Sequence, residues 1–233
     1  MFKKIADYWN TPSDSSKTPI SNQPDLHTPF SSQAEMLQAL HRENEPGLCN
    51  SITNLFVESQ ITKKPDITTK SNKDVYIEAR IEEHKQNILR QEGKDGKHAA
   101  FVDTNTDYKV ITIPVDNSFS LDVNQILPTQ GHTIITFPVE SHTVNDPYHQ
   151  VYLGKLENGN CQSFDASLRG GKRMGNCQDL LSTFTDQMSK CTDTNRPPKL
   201  VTVATSSFFS NSKNAGKVED KKHFNVSQSQ NLC

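Results

Sequence analysis

The apolar period changes midway along this chain, and that change constrains the fold more than any other feature. In "CNSITNLFVESQI" (residues 49–61) Ile52, Leu55, Phe56 and Val57 recur at three and four, so one face of a helix is buried. "VYIEARIEEHKQNILRQEG" (75–93) repeats that pattern and stops at Gly93, a helix end of the usual kind. From residue 108 onward the pattern becomes strand-like: "YKVITIPV", "GHTIITFPVE", "HQVYLGKLENGNCQSFDAS" and "KLVTVATSSFF" are rich in Val, Ile, Thr and Phe. Within the third, "ENGN" reads as a hairpin turn between antiparallel strands. One helical stripe, Leu180, Leu181, Phe184 and Met188 in "QDLLSTFTDQMSK", interrupts before the last strand. Helices first and an antiparallel sheet afterwards make an α+β chain.

The ends read differently. Residues 9–33 hold four prolines among many Ser, Thr and Asn, the composition of an extended polar arm. Order begins near "SSQAEMLQALHREN", where Ser32 and Glu35 make a capping box. The tail is polar again. The expected organisation is therefore an arm over 1–33, one folded domain over 34–210 and a loose tail over 211–233. A mean hydropathy of −0.69 agrees with a chain that is only partly packed.

Net charge is −2 with dispersed basic residues, so no footprint for nucleic acid is present. No apolar run approaches the ~20 residues that span a bilayer. The start "MFKKIADYWN" turns polar at once and reads as no secretory leader. Cys233 offers no prenylation box. Five cysteines, at 49, 161, 177, 191 and 233, form no CxxC pair. Their odd number argues against a disulfide framework and for a reducing compartment, and their spacing argues against zinc. No metal and no cofactor is expected.

Cys49 follows a Pro-Gly turn at the head of the first apolar helix. A thiol attacks as thiolate, and an imidazolium or a helix N-terminus brings its free pKa of about 8.5 down. Cys49 satisfies the second condition, yet a cysteine at a helix start is most often a small packed hydrophobe. A base is needed to separate the two readings. His149 opens the third strand and Asp165 ends its hairpin partner, sixteen residues on. A hairpin turn at 157–159 sets these ends opposite each other, so the carboxylate fixes the imidazole's tautomer. His132 also starts a strand, but no carboxylate is placed for it. His27, His41, His84, His98, His142 and His223 are read as solvated.

"GLCNSITNLF", then "HQVYLGK", then "SFDAS" resembles the YopT/AvrPphB-type cysteine proteases, bacterial effectors with a papain-like fold. In that family a Gly-X-Cys begins the first core helix, a His begins a strand far downstream, and a Phe-Asp pair follows. Here Cys49 and His149 are one hundred residues apart, and Phe164-Asp165 supplies the pair. The resemblance implies a papain-like α+β domain with a helical N-terminal half, its catalytic Cys at a helix N-terminus packed on the antiparallel sheet. It implies Cys49 as nucleophile, His149 as base and acid, Asp165 as orienter and Asn44 as oxyanion donor. It is consistent with an effector delivered by a specialised secretion system to act on a host protein, with an ordinary cytoplasmic protein as the alternative; a monomer is expected. After Asp165 the chain departs from the family pattern ("DASLRGGKR"), and Gln150 follows the His where a small residue is usual. The triad therefore transfers and substrate preference does not. The exposed basic turn "RGGKR" is read as a solvated loop, with substrate contact as its other reading. A transglutaminase, deamidase or deubiquitinase on the same triad, or a degenerate papain-like interaction module, would share this frame.

Overall fold

A computed structural model describes residues 25–115, 121–127, 131–138, 148–190 and 199–206. Residues 1–24 of the expected arm and the whole expected tail over 211–233 lie outside the described residues, as do His142, His223, Cys191 and Cys233. Within the stretch read as an arm, Phe30 and Ser32 are buried while Asp25, His27, Thr28 and Pro29 are exposed. The Phe30 N–H donates to the Lys70 carbonyl, and Asn72 Nδ2 donates to the Asp25 carbonyl. Proline-rich composition concealed this packing because the stretch uses other segments' backbone groups rather than a helix or strand of its own.

Helices fill the first half, as the periodicity predicts. Helix α1 spans Gln33–Ala39, and its N-cap Ser32 accepts from the Glu35 N–H. Helix α2 spans Cys49–Thr62 and α3 spans Asn72–Gln91, the latter capped by Ser71. The segment before α3, read as a loop, holds a 3-10 turn at Ile67–Thr69 capped by Asp66. A second 3-10 turn at Gly96–His98 runs into the short helix α4, Ala99–Asp103. Both are too short to leave a period in the sequence.

The sheet follows with β1 (Tyr108–Val115), β2 (His132–Pro138), β3 (Tyr148–Lys155), β4 (Cys161–Phe164), β5 (Lys172–Gly175) and β6 (Lys199–Ser206). Helix α5 (Val123–Ile126) lies between β1 and β2, and α6 (Cys177–Lys190) between β5 and β6. Among the described residues the strands run β1-β6-β2-β3-β4-β5, every pairing antiparallel. The chain is α+β, with its helices concentrated ahead of the sheet. The hairpin turn at 157–159 is present, and Gly159 takes the positive φ (85°) that a side chain would resist.

Alternation along the strands divides the interior in two. Ile134, Tyr152, Phe164 and Ala204 face α2 with Met36, Ile52, Phe56, Val57 and Phe101. Ile135, Phe137, Val151, Leu153, Val201 and Val203 face α6 with Leu181 and Phe184. The central strands are therefore covered on both faces. The Met188 side chain, expected in that stripe, lies outside the described part of α6.

Two expectations are corrected. "RGGKR" is only partly a loop: Arg169 and Gly170 turn, while Lys172 and Arg173 begin the edge strand β5. Charged side chains on a short edge strand discourage pairing with other chains, so the basic run is consistent with that position. The chain is also not wholly free-thiol, because Cys161 and Cys177 form a disulfide. Cys161 pairs with Gly175 across β4–β5, and α6 begins two residues later, which returns Cys177 to the start of β4. An odd cysteine count carries no information about that register.

Candidate active site

Helix α2 sets Cys49 at its first turn, where backbone N–H groups have no partner within the helix. Cys49 is the free cysteine among the described residues and is 6% exposed. Its Sγ lies 3.7 Å from the Tyr148 carbonyl, which places the sulfur at the start of β3. Asn50 Oδ1 is 3.6 Å from the same sulfur.

Besides the apolar layer they share, α2 and β3 are joined by a buried polar network that leaves no apolar pattern in the sequence. Asn54 Nδ2 donates to the Asn50 carbonyl, the Lys97 carbonyl and Gln150 Oε1, while Asn54 Oδ1 accepts from the Ala100 N–H. Gln150 Nε2 donates to the Lys97 carbonyl and to Thr136, and Thr53 Oγ1 donates to the Gln150 carbonyl. Gln150, the residue after His149, thus commits both ends of its amide to this network. A buried network whose members are all satisfied fixes one arrangement of the elements that share it.

His149 is the second residue of β3. Its Nε2 is 2.8 Å from Asp165 Oδ1, and Phe137, its partner across β2–β3, meets the ring edge-on at 5.3 Å. Asp165 is fully buried, and its Oδ1 also accepts from the Ser167 N–H at 2.8 Å. Burial alone would lower the His149 pKa. The neighbouring charges of Asp165 and Cys49, with the hydrogen bond to Asp165, more than offset it and raise the pKa well above the ordinary 6.5. With Nε2 on the carboxylate, Nδ1 is the nitrogen left to exchange a proton with sulfur.

One detail of the hairpin argument is corrected. The β3–β4 register pairs Tyr152 with Phe164, and the ladder ends there. Asp165 is therefore just past β4, diagonal to His149 rather than opposite it. Its own N–H donates to the Gly171 carbonyl, and this tight loop, rather than a strand pair, aims the carboxylate.

Asn44 sits exposed on the turn before Cys49. Glu45, which also pairs locally with Arg42, ties that turn to α3 through an ion pair with Arg80 and a 2.8 Å hydrogen bond from Tyr76. His132 is the partner of Gly154, at the opposite end of β2–β3 from His149. Burial pushes its pKa down to about 4, and its Nδ1 is 2.8 Å from the Tyr152 hydroxyl. His98, read as solvated, is in fact buried; its Nδ1 lies 2.7 Å from Asp95 Oδ2, which also accepts from the Tyr108 hydroxyl. The motif D-x-x-H within "GKDGKH" was the available signal for that turn. Among the described residues no cluster of His, Cys, Asp and Glu could hold a metal ion, and no helix is long and apolar enough to cross a membrane.

Comparison with known proteins adds little. No protein-family model matches the chain, and no curated protein sequence does. Among solved structures, the Pseudomonas avirulence protein AvrPphB overlays with a TM-score of 0.48 at 10% identity, covering 69% of this chain and 92% of that one. An overlay this loose transfers no residue roles, so the site stands on its own geometry.

Proposed function

We propose that this chain is a papain-like thiol hydrolase, a cysteine protease that works through Cys49, His149 and Asp165. The observation that carries this reading is the buried His149–Asp165 pair at 2.8 Å, beside which the Cys49 sulfur lies 3.7 Å from the carbonyl of Tyr148, the residue before His149.

In the proposed cycle Cys49 gives its proton to His149 Nδ1, and Asp165 stabilises the resulting imidazolium. The thiolate attacks an amide carbonyl carbon. The Cys49 N–H, unpaired within α2, and the Asn44 amide donate to the oxyanion. His149 then protonates the leaving amine as the C–N bond breaks, which leaves a thioester on Cys49. Water adds to that thioester with His149 as base, the acid departs, and the proton returns to sulfur. The resemblance of the triad to effector proteases extends the reading to a host protein as substrate, reached through a specialised secretion system.

The test is alkylation of Cys49 by iodoacetamide at neutral pH, mapped by peptide mass. Cys49 should react faster in the folded protein than in the urea-unfolded chain, and His149→Ala should abolish the difference. Equal rates in folded and unfolded chains would sink the proposal.

A further inference from the structure

The loops carrying Cys49 and Asp165 are far apart in the chain, yet one residue touches both. Gln33, the first residue of α1, donates its backbone N–H to the Ala166 carbonyl at 2.7 Å. Its side-chain Oε1 accepts the Leu48 N–H at 2.6 Å. Ala166 directly follows Asp165, and Leu48 directly precedes Cys49.

Two further observations show that this junction is built. The Asp165 loop also hangs on Ser31, whose carbonyl accepts the Gly170 N–H at 3.0 Å, and Arg169 pairs with Glu35 at 3.2 Å. On the other side, the Gln33 amide occupies the space that a side chain at position 47 would need. A Cβ added to Gly47 would lie 3.1 Å from Gln33 Nε2. Gly47 is thus glycine at a point where an amide side chain approaches its backbone.

We infer that Gln33 is a positioning residue for the proposed reaction, holding the nucleophile's loop and the carboxylate's loop in one register. The inference rests on the Cys49–His149–Asp165 reading. The mechanism follows from the reach of the parts. Asp165 orients His149, and α2 starts where Leu48 is held. A displacement between the two loops therefore changes the distance from sulfur to imidazole, and misplacement by about 1 Å costs on the order of a hundredfold in rate. Gln33 touches neither the sulfur nor the imidazole in the contacts above, so its influence passes through the backbone.

Alkylation separates positioning from oxyanion donation, because no oxyanion forms when iodoacetamide reacts. Gln33→Met keeps side-chain length and removes the acceptor for Leu48. The rate of Cys49 alkylation is measured from acid to alkaline pH in wild type, Gln33→Met and Gly47→Ala. The last crowds the same amide and leaves its chemistry intact. In Gln33→Met the acid-side rate should fall about tenfold or more while the alkaline limit is kept, the profile moving toward that of an ordinary thiol near about 8.5. Gly47→Ala should move the same way by less. Profiles for both variants that overlay wild type would overturn the inference, whatever happens to turnover. A wild-type profile already like an ordinary thiol's would instead overturn the reading of Cys49 as nucleophile, so the two failures are told apart.

Discussion

His149 Nε2 and Asp165 Oδ1 lie 2.8 Å apart, both side chains buried, although the β-ladder that aligns their strands stops one residue before the carboxylate. The pair is held by a loop closed on itself, with Asp165 N–H on the Gly171 carbonyl and Ser167 N–H on Asp165 Oδ1. Its electrostatic effect is to keep a proton on a buried imidazole.

Removal of that charge gives the first prediction. Asp165→Asn preserves shape and removes the main attraction that raises His149. A ring-proton titration by NMR should find the wild-type His149 pKa well above 6.5 and that of the variant far lower. The proposed turnover should fall by about a hundredfold or more. The stability sign follows from the raised value. The pair's contribution is fully present below the unfolded-state pKa and is lost as pH rises through the folded one. A wild-type His149 titrating at or below 6.5 would contradict this account.

Asp95 behaves oppositely with pH. Burial opposes its ionisation, yet hydrogen bonds from His98 and Tyr108 and the His98 interaction bring its pKa down to about 2. A depressed carboxylate contributes stability above its unfolded value, and this is lost as pH falls through the folded one. Asp95 is partly exposed, so screening reduces the contribution to about 1–2 kcal/mol. Urea unfolding should show Asp95→Asn that much less stable than wild type at pH 7, with the gap closing toward pH 2.

The network around Asn54 predicts a larger loss. Asn54→Leu leaves the Ala100 N–H without its acceptor and introduces branching carbons beside Gln150 Oε1. Buried polar groups left unpaired cost about 1–3 kcal/mol, and unfolding by urea should register a loss of that size. Because the network ties α2 to β3, Cys49 alkylation in the folded variant should also slow.

The disulfide between Cys161 and Cys177, sixteen residues apart in sequence, is testable without a substrate. Peptide mapping of air-oxidised protein without reductant should recover the two cysteines linked and Cys49 free. Replacing both by Ala should lower stability by about 3 kcal/mol, the loop-entropy figure for a closed loop of this length. Recovery of both as free thiols from air-oxidised protein would refute the link.

Helix α2, the hairpin at 157–159 and the strands β1, β3 and β6 were legible because each is dictated locally, by spacing of apolar residues or by a turn with glycine at positive φ. Cys49 and His149 were legible for the same reason, since each opens an element whose period is clear. Gln33, Asn54 and Gln150 were not. Amide side chains have no period, and their role depends on which carbonyl or N–H another element brings within reach.

The sequence by itself determined an α+β chain, a cysteine at a helix start and a histidine at the start of a hairpin strand with an aspartate near the far end of its partner. These follow from interactions among residues close in the chain, where rise and twist set the geometry. Only the tertiary structure decided that Asp165 sits past its ladder, that Cys161 meets Cys177 and that the carbonyls of Asp25, Leu26 and Thr28 bond the start of α3. It also decided that one glutamine spans the two loops of the site. Each of those depends on the register between segments distant in sequence, which is set by how two core layers close around one sheet.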